Sequence, residues 1–506
     1  MNHDTNVLIV GAGPTGLVHA LWLTQQGVQV RIIDRSAGPG ETSRAMAVQA
    51  RTLELYRQVG LSEEVVAAGH PNPTMNLWAS GKRRARLAMG EAGADVTPYP
   101  FILTYPQDEH ERLLIAKLQS LGVTVERQTE FLSFEAQPDH VLSRLKKADG
   151  TEEVFRSAYL SGCDGAKSPI RHQIGAGFEG GTYKQIFYVA DVKLSGLEPA
   201  GEAHIALDSS DFVAVLSYGH SGLSRLIGVV IDGDPETITF EDVGHRAIER
   251  LGVKVEAVNW FSTYRVHHRV TDSFRQGRVF LLGDAAHVHS PAGGQGMNTG
   301  IADAINLAWK LAAVLKGQAT DSLLDSYDQE RKAFARKLVE TTDRMFTFVT
   351  AESNFADFVR TRIAPVLAGL AYRVDSVREM MFQMISQTTL NYQESALSAG
   401  KAGKVEGGDR LPWVEAAGGD NFAPLAHIGW QVHVYGNAAA ALKAWGERRG
   451  IQVREFKWDA KHGQAGLARD AAYLLRPDTY VALAEPRASV EMLDRYLHER
   501  NITLST

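Results

Sequence analysis

Three glycines, Gly11, Gly13 and Gly16, follow the apolar run Val7-Leu8-Ile9-Val10 and open a helical pattern. A second apolar run, Val28 to Ile33, ends in Asp34, about 20 residues beyond the glycines. Each residue type has a chemical reason. The first glycine makes a tight turn, the second lets backbone approach a diphosphate, and the third lets the helix pack close to the strand. The helix start offers free N–H groups and a partial positive charge to phosphates. Asp34 is placed to accept hydrogen bonds from a ribose diol. Pro14 and Thr15 in the turn, and Arg35 after the acid, complete this candidate dinucleotide site; without a ligand the same pattern is a tight turn.

Two further strand ends carry glycine and aspartate. Gly162-Cys163-Asp164-Gly165 is followed by Ser168 and Arg171. Gly283-Asp284-Ala285-Ala286-His287 is followed by Pro291-Ala292-Gly293-Gly294-Gln295-Gly296-Met297-Asn298, which opens a long helical pattern. The three motifs, in this order, resemble the aromatic hydroxylases of the class A flavin monooxygenases, over about the first 390 residues. The resemblance implies bound FAD, with NADPH or NADH and O2 as co-substrates. It implies hydroxylation of a phenolic or polyketide-type aromatic through a flavin C4a-hydroperoxide. Asp284 would then hold the ribityl chain, and Gly296, Met297 and Asn298 would meet the flavin. The backbone at Pro291, Gly293 and Gly294 would stabilise the oxygenated ring.

Other positions keep two readings. Asp164 lies near the pyrophosphate in that family and is linked there to nicotinamide use, or it caps the following helix. Arg44 is a phosphate or nucleotide contact, or a surface arginine. Gln107, at the head of the stretch to Glu111, meets FAD from the side or belongs to a solvated turn. Met46, with Val48, approaches the flavin or substrate through the segment Ser43 to Gln49. Tyr218, His220 and Arg225 are substrate candidates or loop residues. No general base stands out. Neither His267-His268 nor His287 with His289 has a full ligand set, so no metal is expected.

These residues need a scaffold, and the chain predicts an α/β one. A Rossmann-like FAD-binding unit is expected over 1–176 and 277–395, with part of 71–105 contributing to the substrate side. Strand-rich sequence over 177–276 reads as an inserted antiparallel substrate sheet. The Ala-, Gly- and Ser-rich stretch from Ser395 to Gly408 reads as a linker. Strands and helices alternate again over 409–506, resembling a thioredoxin-like domain; it lacks Cys-x-x-Cys, so thiol redox chemistry is excluded. Within it, Leu474-Leu475-Arg476-Pro477-Asp478 is expected to serve structure or subunit contact.

Composition restricts partners. The 506 residues carry a formal net charge of −6 without long charged blocks, which argues against nucleic acid and anionic membrane surfaces. A single cysteine, Cys163, allows no internal disulfide and fits a reducing cytoplasm. No signal peptide or membrane span is expected. A small-molecule aromatic partner is, and homo-oligomerisation is compatible. A reductase or dehydrogenase on the same fold, an antibiotic-modifying oxygenase and a non-catalytic FAD-containing interaction protein remain as other functions.

Overall fold

The computed structural model describes residues 5–40, 45–197, 201–207, 212–218, 222–230, 234, 237–243, 246–290, 294–350, 375–417 and 419–504. Its first sheet is built on the strand Thr5–Val10, almost wholly buried, which pairs in parallel with Val30–Ile33 and with Glu152–Gly162. Val125–Glu126 and Val279–Leu281 extend the parallel set on either side. Both faces of such a sheet are covered, which is why its strands read as unbroken apolar runs rather than alternations. One cover is the helix Pro14–Gln25, through Leu17, Val18, Leu21 and Trp22; behind it lies the helix Gly296–Leu315.

His19 braces these layers. Its Nδ1 lies 3.1 Å from the Ala304 carbonyl, which can only accept, and its Nε2 lies 3.1 Å from Ser161 Oγ. Nδ1 therefore donates, and burial, which disfavours the charged ring, leaves Nε2 to accept from the Ser161 hydroxyl.

The second sheet has eight strands: His287–Val288, Lys254–Thr271, Phe178–Ser195, Leu223–Val230, Phe212–Tyr218, Ala203–Leu207, Thr74–Ala79 and Lys82–Ala88, in that spatial order. Most pairs are antiparallel, but Ala203–Leu207 runs parallel to Thr74–Ala79, so the hairpin 74–88 joins the sheet from far upstream. One face is covered by Phe240, Val243, Ile248 and Leu251, which pack on Ile186, Tyr188, Val213 and Leu226. The opposite face carries Phe187, Val229 and Val266 with the half-buried Tyr183, Phe212, Ile227 and Tyr264.

The third sheet runs Val405–Glu406, Ala399–Ala402, Val481–Glu485, Ala472–Leu475, Gln431–Tyr435, Gln452–Phe456, with the helices Ala440–Arg449 and Val490–Glu499. The expectation of a linker over Ser395 to Gly408 is corrected here. Ala399–Ala402 pairs in parallel with Val481–Glu485 and turns back onto Val405–Glu406, and Gly407 and Gly408 are packed against Ala399 and Tyr392. The small residues serve close backbone approach rather than freedom. Among the described residues no helix is long and apolar enough to cross a membrane.

Burial of histidines gives the fold a pH dependence. Burial pushes the pKa of His19 and His110 down to about 4 and that of His433 to about 3. The unfolded chain therefore binds more protons than the native one between about pH 6.5 and 4. The stabilisation is complete above the unfolded value and is lost as pH falls through that window. Thermal melts from pH 7 to 4.5 should show a steep loss of stability, with these three rings taking up about three protons on unfolding at pH 5. A flat profile over that range would show that the rings are charged in the fold.

Candidate active site

The glycine turn follows directly from its neighbours. Gly11 has φ of +104°, a region that favours glycine, and a Cβ there would stand 2.2 Å from the Cys163 carbonyl oxygen. A Cβ on Gly16 would stand 1.9 Å from the Gly11 carbonyl oxygen. At Gly13, by contrast, a Cβ would meet nothing within 4 Å. Two glycines are thus demanded by the protein's own packing, and the third faces open space, as backbone approached by a diphosphate must. The helix starting at Pro14 has no side-chain cap and no acid in its first turn, so its positive end is left for a ligand. Asp34 Oδ2 accepts from Ala12 N at 2.7 Å, and Oδ1 accepts from Ser36 N at 2.8 Å and from the Ser36 hydroxyl. Arg35 beside it is exposed.

The second helix start lies against the first. Thr15 is the wedge: a Cβ at Gly283 would stand 2.6 Å from its Oγ1, and one at Gly300 would stand 2.3 Å from it. The helix Gly296–Leu315 is also uncapped and free of acid in its first turn. Two unneutralised positive ends therefore meet, one from residue 14 and one from residue 296. Between them Asp284 is solvent-accessible, yet burial by surrounding protein raises its carboxyl pKa; that combination marks a group lining a deep cleft. The turn carrying it is fixed from below by Asp303. Its Oδ2 accepts from Gly283 N at 2.9 Å and lies 2.7 Å from His287 Nε2, and its Oδ1 accepts from Arg331 Nε at 2.5 Å. Burial acts against the Asp303 charge, but Arg331 and His287 outweigh it and hold its pKa low.

Asn298 is buried and saturated. Its Oδ1 accepts from Gln49 N at 2.9 Å and Thr52 Oγ1 at 2.8 Å; its Nδ2 donates to Ala47 O at 2.8 Å and Gly294 O at 3.0 Å. The amide has used its ordinary capacity, so Asn298 meets a ligand only through its backbone. Its side chain instead ties the glycine-rich loop to the strap 45–49. Gly294 completes that contact, since a Cβ on it would stand 2.7 Å from Ala47 Cβ. Met297 is half-buried against the main core. Met46 is 2% exposed, with its carbonyl accepting from Tyr105 N at 2.6 Å.

Gln107 opens the helix Gln107–Ser120; its N donates to Ala45 O at 3.1 Å and its Nε2 to Glu111 Oε1 at 2.8 Å. Glu111 Oε2 accepts from Gly40 N at 3.1 Å. Asp164 does cap a helix start, accepting at Oδ2 from Ile170 N at 3.1 Å, while its buried Oδ1 has no protein partner among the described residues. Arg171 braces the Asp164-Gly165 and Gly283-Asp284 turns, donating from Nη1 to Ala285 O and from Nη2 to Ala166 O, each at 2.8 Å, with the Phe178 ring centroid 3.8 Å from its guanidinium.

On the substrate side, Arg225 is buried and bonded to Asp191 through Nε and Nη2, both at 2.7 Å. It lies on the sheet face that carries Phe187 and Val229, the face opposite the 240–251 cover. Tyr218 ends the strand Phe212–Tyr218. Arg44, His220, Pro291 and Gly293 lie outside the described residues. Asp303 and Thr52 are positioning groups that sequence reasoning missed. An acid inside the apolar run Gly300 to Leu315 is the signal that marks Asp303; Thr52 has no such signal. Among the described residues no group of three or more His, Cys, Asp and Glu could hold a metal ion.

A parallel sheet with a glycine turn, an acid after its second strand and two adjacent uncapped helix starts is the arrangement of a dinucleotide-binding protein, here with a second, covering sheet. A family model described as FAD binding domain matches residues 4–342, well over half of the chain, and the chain belongs to that family. The 6-methylpretetramide 4-monooxygenase of Streptomyces rimosus is 37% identical over 408 residues, covering 78% of this chain and 71% of that protein. Aklavinone 12-hydroxylase RdmE of Streptomyces purpurascens is 30% identical over 532 residues, 97% of each chain. The solved structure of OxyS anhydrotetracycline hydroxylase from Streptomyces rimosus aligns over 98% of this chain and 99% of its own, with a TM-score of 0.79 and 26% identity. The protein is an FAD-dependent aromatic monooxygenase.

Proposed function

We propose that the protein hydroxylates a fused-ring phenolic substrate of polyketide type, consuming NAD(P)H and O2. The observation that carries this is the aromatic face of the eight-stranded sheet, on the side opposite the 240–251 cover. Tyr183, Phe187, Phe212 and Tyr264 come from three strands, with Phe187 and Tyr264 stacked at 5.8 Å between ring centroids. The same face continues through Leu77 and Met75, which pack with Ala50 at the end of the strap 45–49. It is a broad apolar and aromatic wall, suited to the flat of a polycyclic ring system. The names of the relatives, a 6-methylpretetramide monooxygenase and an aklavinone hydroxylase, support the same reading.

The chain's own residues have positioning work. Gly11 to Gly16 and the helix from Pro14 receive the pyrophosphate; Asp34 takes the ribose and Asp284 the ribityl chain. The helix from Gly296 and the backbone of Gly294 to Asn298 present a positive end where an anionic ring is favoured. Bound FAD supplies hydride acceptance and oxygen activation. The aromatic wall excludes water and holds the substrate. Arg225 is held to Asp191 and serves the wall's rim, so substrate activation falls to binding the phenol in its electron-rich form.

The test is NADPH and NADH consumption with product mass, using three- and four-ring phenols against single-ring phenols. Fused-ring phenols should give kcat/KM at least about tenfold higher, the scale of one to two well-buried contacts. A single-ring phenol as the best and fully coupled substrate would overturn the fused-ring assignment.

A further inference from the structure

We propose that the C-terminal domain is part of the FAD site's scaffold, and that Thr479 and Asp478 are positioning residues for the strap 45–49. The inference rests on the placement of the flavin at Gly294 to Asn298.

The contact is built, not incidental. Arg51, on the helix Ala50–Arg57 that continues the strap, is 3% exposed. Its Nη2 donates to the Asp478 carbonyl at 3.0 Å and to Thr479 Oγ1 at 2.8 Å. Two turns on, Gln58 Nε2 donates to Pro477 O at 2.9 Å. Asp478 also reaches the flavin helix, accepting from Trp309 Nε1 at 3.0 Å. The loop 476–480 thus holds both elements that frame the glycine-rich loop. At the position after Arg51 on the same helix, Thr52 Oγ1 donates to Asn298 Oδ1 at 2.8 Å, and Asn298 holds Ala47 and Gly294. Three side chains, Arg51, Thr52 and Asn298, link Thr479 to the glycine-rich loop.

Backbone conformation points the same way. Thr479 has φ of +69°, a left-handed conformation that a β-branched residue adopts only under constraint. Such strain persists where the surroundings over-determine a position, and it gathers at functional sites. A small cavity, lined by Arg51, Thr52, Leu55, Asn298, Ile305 and Tyr480 among others, lies where the loop meets the helix Ala50–Arg57 and the flavin helix.

The experiment compares Thr479→Ala, Thr479→Ser and Leu442→Ala in the full-length protein. Leu442 is in the C-terminal core, on the helix Ala440–Arg449 and away from the loop, and its truncation destabilises the same domain. Two quantities are read: the Kd of the apoprotein for FAD, and amide hydrogen exchange over residues 45–58 without FAD. Thr479→Ala should weaken FAD binding about three- to tenfold and speed exchange over 45–58, the coupling expected within one hydrogen-bonded network. Thr479→Ser should stay near wild type. Leu442→Ala should lower the thermal midpoint while leaving both readouts unchanged. Equal effects of Thr479→Ala and Leu442→Ala on both readouts would reduce the loop to general stability and overturn the proposal. Wild-type FAD affinity in Thr479→Ala, beside a large loss in Asn298→Ala, would also overturn it while leaving the placement of the flavin intact.

Discussion

Arg476→Met should destabilise the protein by roughly 3–5 kcal/mol, the cost of leaving buried carboxylates without their counter-charge. The Arg476 side chain is fully buried. Its Nη1 and Nη2 donate to Glu330 Oε1 and Oε2 at 2.7 and 3.1 Å, and its Nε and Nη2 donate to Asp478 Oδ1 and Oδ2 at 2.9 and 2.5 Å. Burial acts against the Glu330 charge, but Arg476 and Lys310 hold its pKa well below the usual carboxylate range. Without the guanidinium, Glu330 keeps Lys310, 2.8 Å from its Oε2, and Asp478 loses its paired cation. The loss is a large share of a typical net stability of about 5–15 kcal/mol. Denaturant unfolding measures it. Combining Arg476→Met with Glu330→Gln should recover part of the loss, because one orphaned charge is removed. A double variant less stable than the single one would show that shape, not charge, is what Arg476 contributes.

Gly16→Ala and Gly13→Ala should both yield protein that loses FAD, but for different reasons. At Gly16 the new methyl would meet the Gly11 carbonyl oxygen at 1.9 Å. Neither side yields easily, since Gly11 abuts Cys163 and the helix Pro14–Gln25 is held by His19 and by Thr15 against Gly300. The helix must move by an ångström or more, and misplacement of that size costs on the order of a hundredfold in a positioned site. The apoprotein should lose stability as well, by about 1–3 kcal/mol. At Gly13 the backbone is extended, at φ −77° and ψ −178°, and a methyl meets no protein atom. That apoprotein should melt like wild type and fail only when FAD is titrated. Gly13→Ala binding FAD normally would remove the pyrophosphate from this turn.

How much of this was legible depends on range. The strand Thr5–Val10, the glycine turn, the helix after it and the acid at 34 are local patterns, so sequence located them closely. The sheet face holding Phe187 and Tyr264 was readable as strand, but the parallel pairing of Ala203–Leu207 with Thr74–Ala79 was not, because no local rule joins segments so far apart. The hairpin from Ala399 to Glu406 read as a linker because its glycines and alanines have the composition of one. Their packing against Val481–Glu485 is a tertiary fact. The buried ions Arg476, Glu330 and Arg331 look like surface charges in a helical or turn pattern, and only the apolar run around it sets Asp303 apart. Only the fold brings Arg476 to Glu330 and Arg331 to Asp303. Asn298 shows the converse: its place in the first turn of the helix Gly296–Leu315 was legible, while the full use of its amide within the protein was not.

The central claim is that this cleft delivers an oxygen atom from O2 to an aromatic carbon, rather than only passing electrons. Turnover with FAD, NADPH and a fused-ring phenol under heavy-isotope O2 in ordinary water reads it directly, by mass spectrometry of the product. The account predicts one heavy oxygen in each hydroxylated molecule. Product whose added oxygen comes from water, or oxidised product containing no new oxygen while NADPH is consumed, would contradict it.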